Sequence, residues 1–310
     1  MKDSTQNPPK LRKPPWLKVR APSGENYALI KSLRTDLALA TVCEEARCPN
    51  LGECWAQGTA TFMVLGDTCT RACRFCNVKT GNPRGALDPA EPEKLAHAVA
   101  KMNLNYVVIT MVDRDDLPDG GAAHVNHCVE AVIGASPRLK VEILIGDFRS
   151  MVDPLRLMAA GPAHVLAHNL ETTEAQTRRV RDGKSGYRQS LTSLRMLKDF
   201  APAKLTKSSL MLGLGETEDD IRKAMDDLLH AGVSILTLGQ YLQPTERHLP
   251  VTEFVTPDRF QQWKEEAESR GFLFCASGPL VRSSYKAGEL FTERYLRQRD
   301  QEISRGEVEV

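Results

Sequence analysis

Residues 61–76 read TFMVLGDTCTRACRFC: a short apolar run, a glycine, then three cysteines spaced C-x3-C-x2-C at Cys69, Cys73 and Cys76. A β-prone run of this length ending at a glycine predicts a buried strand. The pattern returns at 106–112 (YVVITMV), 141–148 (VEILIGDF), 164–171 (HVLAHNLE), 205–212 (LTKSSLML) and 235–242 (ILTLGQYL). Helical patterns separate these runs. The clearest is 217–232, where Ile221, Ala224, Met225, Leu228 and Leu229 share one face, Thr217 with Asp220 forms a capping box, and Gly232 is placed as the stop. Six strand–helix units in succession imply a parallel sheet, which right-handed crossovers curl toward a barrel. A full eightfold barrel needs about 250 residues. The span 61–272 is shorter, so the expectation is an α/β fold: a partial (β/α)6 TIM-type barrel. An open doubly wound sheet is the alternative, but no G-x-G-x-x-G follows the first strand.

The rest of the chain divides around this barrel. Residues 1–22 are rich in Pro, Lys and Arg and read as a flexible or surface-wrapping arm. Residues 1–60 together form an N-terminal arm and cysteine-bearing segment, with one helix expected at 26–40. Residues 273–310 form a C-terminal extension, charged and solvated from Thr292 onward. With 310 residues, 41 basic and 40 acidic side chains and a net charge of +1, the chain is neither a disordered polyampholyte nor a phosphate-coating protein, so no nucleic-acid partner is expected. No apolar run reaches membrane-spanning length, and the first residues carry neither a secretory signal nor an uninterrupted amphipathic helix, so a cytoplasmic setting without membrane contact is expected.

Six of the eight cysteines fall between 43 and 76. Reduced thiols crowded this way bind metal. Three thiolates can hold three irons of a [4Fe–4S] cluster and leave the fourth iron for substrate. The loop carrying Cys69, Cys73 and Cys76 leaves the C-terminal end of the first strand, where the active sites of such barrels form. Structural zinc is the competing reading, but zinc sites close with four ligands, commonly in paired C-x2-C knuckles, and no partner pair lies near. A second triplet, Cys43-x4-Cys48-x5-Cys54 in VCEEARCPNLGECW, lies ahead of the barrel. Beside the first, it favours a second cluster over unconnected thiols.

The C-x3-C-x2-C motif, with Phe75 before its last cysteine, resembles the signature of the radical S-adenosylmethionine (SAM) superfamily. Joined to the C-x4-C-x5-C set, it resembles the lipoyl synthase family. KPPWLKVRAP (13–22), TMVDRDDLPDGGA (110–122), GYRQSL (186–191), TKSSLMLGLGET (206–217), LGQYLQPT (238–245) and GPLVRSSY (278–285) agree, and the likeness covers about residues 13–290. Gly146 stands where that family commonly has proline, touching no proposed ligand.

The resemblance implies an enzyme that inserts two sulfur atoms, at C6 and C8, into a protein-bound octanoyl-lysine. These carbons have no acidic proton and no leaving group, so acid–base and nucleophilic chemistry cannot begin there. A 5′-deoxyadenosyl radical can. By resemblance the cofactors are two [4Fe–4S] clusters with SAM as co-substrate. Cys69, Cys73 and Cys76 ligate the first cluster. Cys43, Cys48, Cys54 and Ser283 ligate the auxiliary one, whose sulfide is the sulfur donor; a hard serine oxygen among soft thiolates is expected to leave more easily than a thiolate when the cluster is attacked. Phe75, Asn169, Glu171, Gly213, Gly215, Glu216, Gln240 and Gln243 are carried over as SAM or acyl contacts. The implied partners are octanoylated lipoyl-carrier domains, a one-electron reductant such as ferredoxin or flavodoxin, and an iron–sulfur carrier for cluster repair. The competing enzyme is a radical SAM dehydrogenase or methylthiotransferase whose second cluster relays electrons or modifies RNA; methylthiotransferases carry additional RNA-binding domains and a basic surface, and neither is visible in this sequence. A two-cluster electron carrier and a zinc-stabilised binding module are the other classes. Cys128 and Cys275 are expected to be buried thiols.

Overall fold

The computed structural model describes residues 12–19, 23–284 and 286–305. The N-terminal basic residues Lys10 and Arg20 lie outside them. Seven strands run parallel in sequence order: β1 (Thr61–Val64), β2 (Tyr106–Met111), β3 (Lys140–Leu144), β4 (Val165–Ala167), β5 (Leu205–Leu212), β6 (Ile235–Gln240) and β7 (Phe274–Gly278). Register is continuous across them, as in Phe62 with Ile109, Ile143 with Leu166, and Leu236 with both Ser208 and Cys275. The strands are buried on both faces because each is covered on both, and they are largely apolar apart from Glu142 on β3 and Thr206, Lys207, Ser208 and Ser209 on β5. The six expected strands are all present. β7 adds a seventh, within the segment read as C-terminal extension.

Helices α1 (Glu25–Asp36), α2 (Val42–Glu45) and α3 (Leu51–Ala56) precede the barrel. Between and after its strands come α4 (Glu91–Met102), α5 (Ala122–Ala135), α6 (Val152–Ala160), α7 (Glu174–Val180), α8 (Tyr187–Phe200), α9 (Glu218–His230), α10 (Pro257–Arg270) and α11 (Lys286–Ser304). The helix expected at 26–40 ends at Asp36, and its last residues become a two-residue strand, Ala40–Thr41, antiparallel to β1. In α9 the capping box of Thr217 and Asp220 is formed as the sequence indicates.

The sheet does not close. One edge is Ala40–Thr41 and the other is β7. The N-terminal cysteine segment bridges the opening. It pairs with β1 through Ala40–Thr41, and buried Asn50 donates through Nδ2 to the Leu280 carbonyl beyond β7 at 2.6 Å. Inside the barrel, Lys207 Nζ on β5 donates to both Glu142 oxygens on β3 at 2.8 and 2.9 Å, and the Tyr106 hydroxyl on β2 donates to the same carboxylate at 2.6 Å.

The tail departs from its expected solvation. Thr292 is fully buried, and Leu296 joins Tyr106, Val108, Val165, Leu205 and Ile235 in one apolar group at the strand starts. Phe291 stacks on Phe274 with ring centroids 4.2 Å apart. Charge dominates α11 on average, but its apolar residues recur at helical spacing, and that stripe caps the base of the barrel.

Candidate active site

Every strand's C-terminal end points to one mouth, which contains a cavity of about 530 Å3. Cys69, Cys73 and Cys76 line it from the loop after β1, and Cys43 and Cys48 from the N-terminal segment. Phe75, Asn169, Glu171, Gln240, Gln243 and Ser283 line it as well. Cys54 sits one step away, in a small adjoining pocket that Cys43 and Cys48 also line. Ser283, 229 residues from Cys54, lines the large cavity with Cys43 and Cys48, while its neighbour Ser284 is the serine that also lines the pocket holding Cys54.

The loop into the first triplet is clamped. Leu65 and Gly66 both have positive φ, +70° and +86°. Their amides donate to the buried Glu91 carboxylate at 2.9 and 3.3 Å, and the Leu65 carbonyl accepts from Arg114 Nη1 at 3.1 Å. His124 Nε2 lies 2.7 Å from the same Glu91. Two successive left-handed residues cost conformational energy that the buried carboxylate repays through both amides. Further along, buried Arg71 reaches Asp115 through Nε and Nη2 at 3.1 and 3.0 Å, Asp147 at 2.8 Å and Asp113 at 3.5 Å. One guanidinium therefore ties the cysteine loop to the loops after β2 and β3.

Burial pushes the Cys69 thiol up to about 11, helped by the charge of Asp113, and pushes Cys76 up to about 12; Cys73 is raised for the same reason. Such thiols shed their protons only to a cationic partner, which is how metal binding couples to deprotonation. The geometry argues against a single ion. Tetrahedral zinc thiolates at about 2.3 Å from the metal place their sulfurs roughly 3.8 Å apart. Among the described residues, the group of three metal-type donors whose atoms all lie within 4.8 Å of one another is Glu91, His124 and Cys128; neither cysteine triplet is drawn that tight. Soft, widely set sulfur donors fit a polynuclear iron–sulfur group.

The remaining sequence-derived residues divide. Asn169 Nδ2 donates to Glu171 Oε1 at 3.1 Å, and burial raises the Glu171 carboxyl, offset in part by Arg181. Glu171 also holds φ +71°, where the β4 chain turns to bridge Leu210. Backbone strain at a cavity wall marks a built site. Gly213, Gly215 and Glu216 do not line the cavity; the Glu216 carboxylate accepts from the amides of Gly213 and Leu214. Gln240 reaches the cavity, yet its amide group bonds to the carbonyls of Leu212, Tyr241 and Glu253 and to the Val255 amide. It is therefore committed to the fold. Among the described residues, Gln243 donates to the His248 carbonyl alone.

Sequence reasoning missed Arg71, Asp147, His168, Arg181 and Arg282. All but Asp147 line the cavity; Asp147 anchors Arg71 beneath it. The DRDD run at 113–116 and the GD pair after β3 were the available signal, each a set of charges just past an apolar strand. Cys128 and Cys275 are fully buried as expected.

Comparison with known proteins agrees with this architecture. The radical SAM superfamily model matches residues 63–228, and the model for the N-terminal domain of lipoyl synthase of the radical SAM family matches 2–48. "Lipoyl synthase, mitochondrial" of Aedes aegypti is 52% identical over 301 residues, covering 96% of this chain and 77% of that protein. "Lipoyl synthase" of Halorhodospira halophila is 54% identical over 286 residues, covering 92% and 86%. Among solved structures, Streptococcus suis SuiB bound to S-adenosylmethionine shares 9% identity at a TM-score of 0.52, covering 71% of this chain and 51% of that one. The maturase HydG from Carboxydothermus hydrogenoformans shares 12% identity at 0.52, covering 79% and 56%. These two distant structures establish the barrel fold alone.

Proposed function

The chain belongs to the lipoyl synthase family of the radical SAM superfamily, and from that premise we propose that it inserts sulfur at C6 and C8 of an octanoyl-lysine carried on a protein domain. The observation carrying this reading is that both cysteine triplets and Ser283 meet around one mouth, with Cys43, Cys48, Cys69, Cys73 and Cys76 on a single cavity. In this reading Cys69, Cys73 and Cys76 hold one [4Fe–4S] cluster, while Cys43, Cys48, Cys54 and Ser283 hold the auxiliary one. When bound, the first supplies the electron that cleaves SAM to a 5′-deoxyadenosyl radical, and the second supplies sulfide.

The chain's own residues then position and shield. Glu91, Arg114 and Arg71 hold the cysteine loop rigid. Asn169 and Glu171 offer polar contacts to SAM, Phe75 an aromatic one, and Gln243 the far wall. Gly213, Gly215, Glu216 and Gln240 support that wall from behind. Val112, Leu144, Ile145, Leu210 and Met211 line the same cavity and suit an apolar acyl chain and a radical that must not meet water. The division into residues 1–60, 61–272 and 273–310 belongs to this reading, with β7 placed by pairing inside the barrel sheet. Octanoylated carrier domains are the substrate, a ferredoxin- or flavodoxin-type protein the reductant, and an iron–sulfur carrier restores the spent cluster. A cytoplasmic setting is also part of the reading, although the eukaryotic relatives, that of Aedes aegypti among them, are named mitochondrial.

Anaerobic reconstitution followed by iron and sulfide counting tests the proposal. About eight irons are expected, four per cluster. Cys48→Ala should still form 5′-deoxyadenosine from SAM yet make no thiolated octanoyl peptide. Ser283→Ala should behave alike, Ser283→Cys should hold its cluster and insert poorly, and Ser284→Ala should be mild. Normal product from Cys48→Ala refutes the donor role. Equal, near-normal product from both serine-to-alanine variants refutes Ser283 as ligand.

A further inference from the structure

Arg282 stands between the two cysteine sites, lining both the large cavity and the small pocket around Cys43, Cys48 and Cys54. Its position is fixed from two sides. Asn50, between Cys48 and Cys54, holds the Leu280 carbonyl. At the end of β6, Gly239 has no Cβ, and one built there would lie 2.1 Å from the Val281 carbonyl oxygen and 3.4 Å from Arg282 Nη1. Only glycine lets the segment press down this closely.

A guanidinium offers five N–H donors and cannot discard its charge. Among the described residues Arg282 donates once, from Nη1 to the Val281 carbonyl at 2.7 Å, and no carboxylate there pairs with it. Among the other arginines of this cavity, Arg71 has Asp113, Asp115 and Asp147, whereas Arg181 has no carboxylate among the described residues and donates instead to Ser190 Oγ and the Leu170 and Gly186 carbonyls. Arg282 is half-buried, and with one donor engaged among the described residues its planar fork, set beside three cysteines, suits an anion there.

We propose that Arg282 is the counter-charge and hydrogen-bond donor of the auxiliary sulfur site, holding the anionic cluster of Cys43, Cys48 and Cys54 and setting its reduction potential. The proposal rests on the reading of those cysteines as cluster ligands. A cluster with four anionic ligands is negatively charged and becomes more so on reduction. A fixed cation and N–H donors at its edge therefore stabilise the reduced form most and raise the potential.

The test uses the full-length chain with Cys69, Cys73 and Cys76 replaced by alanine, so that one cluster remains. Iron and sulfide counting comes first: about four irons per chain support the site, and none overturns the cluster reading itself. Potentiometric titration then compares Arg282, Arg282→Lys and Arg282→Gln. The glutamine variant should shift the reduction equilibrium at least about tenfold toward the oxidised form, ~59 mV more negative for one electron. Lysine should recover most of that shift. An intact cluster in Arg282→Gln at the wild-type potential overturns the proposal. If glutamine leaves no cluster, lysine decides: a retained cluster near wild-type potential supports the charge role, and its loss assigns Arg282 to packing alone. In the chain with all six cysteines of the two triplets, weakened SAM binding by Arg282→Gln at an unchanged auxiliary potential overturns the proposal in favour of a SAM contact.

Discussion

At the scale of single residues, the barrel interior is sensitive to charge balance. His168 is buried, with Nδ1 2.9 Å from the Ile145 carbonyl and Nε2 2.8 Å from Ser190 Oγ, and burial lowers its pKa to about 4. Its unfolded value is about 6.5. Between those limits the unfolded chain binds more protons, so stability is complete above pH 6.5 and falls as pH drops toward 4. The loss from this residue should be about 3 kcal/mol by pH 4. Anaerobic urea unfolding should show that slope in the wild type and a shallower one in His168→Gln; equal slopes would exclude His168 as its source. The Glu142–Lys207 pair makes a second case. Glu142→Gln strands a buried ammonium and should cost about 3–5 kcal/mol. Glu142→Gln with Lys207→Met should recover part of it, which the same unfolding series measures.

At the scale of elements, the sequence rhythm translated well where each strand and helix carries its own signal. TFMVLG became β1 because its residues are buried on both faces, and α9 formed with the cap its first turn encodes. The 164–171 run was less regular: β4 keeps only Val165–Ala167, since the chain beyond it is diverted toward the cavity at Asn169 and Glu171. The decisive contact between elements is Gly239 against Val281. Gly239→Ala should push the 280–284 segment away at a cost of about 1–3 kcal/mol. Faster amide exchange at Val281 and Arg282, with β6 unchanged, is the expected readout. Unaltered protection there would show that the segment does not lean on Gly239.

At the scale of the whole molecule, the two ends of the barrel have separate tasks. The mouth gathers the cysteines, while α11 closes the base through Phe291, Tyr295 and Leu296. Leu296→Ala should therefore lower stability by about 2–3 kcal/mol, through lost burial and a residual cavity. SAM cleavage per folded molecule should stay unchanged. A drop in cleavage without a drop in melting temperature would contradict this division. Among the described residues, no helix is long and apolar enough to cross a membrane.

The sequence by itself determined the strand succession and the two cysteine triplets whose spacing fits metal ligation, because periodicity and ligand spacing are local properties that survive without a fold. Ser283 was reached only through family resemblance, since a serine in a loop carries no chemical signal of its own. The tertiary structure alone decided the rest. Arg71 gathers three aspartates from two later loops, Gln240 turns out to serve the backbone, and the charged tail buries one stripe against the strand starts. Above all, the open edge of the sheet brings Asn50, Gly239 and Arg282 together across hundreds of residues. Long-range contact depends on how strands order and where a sheet fails to close, and no short window of sequence encodes that.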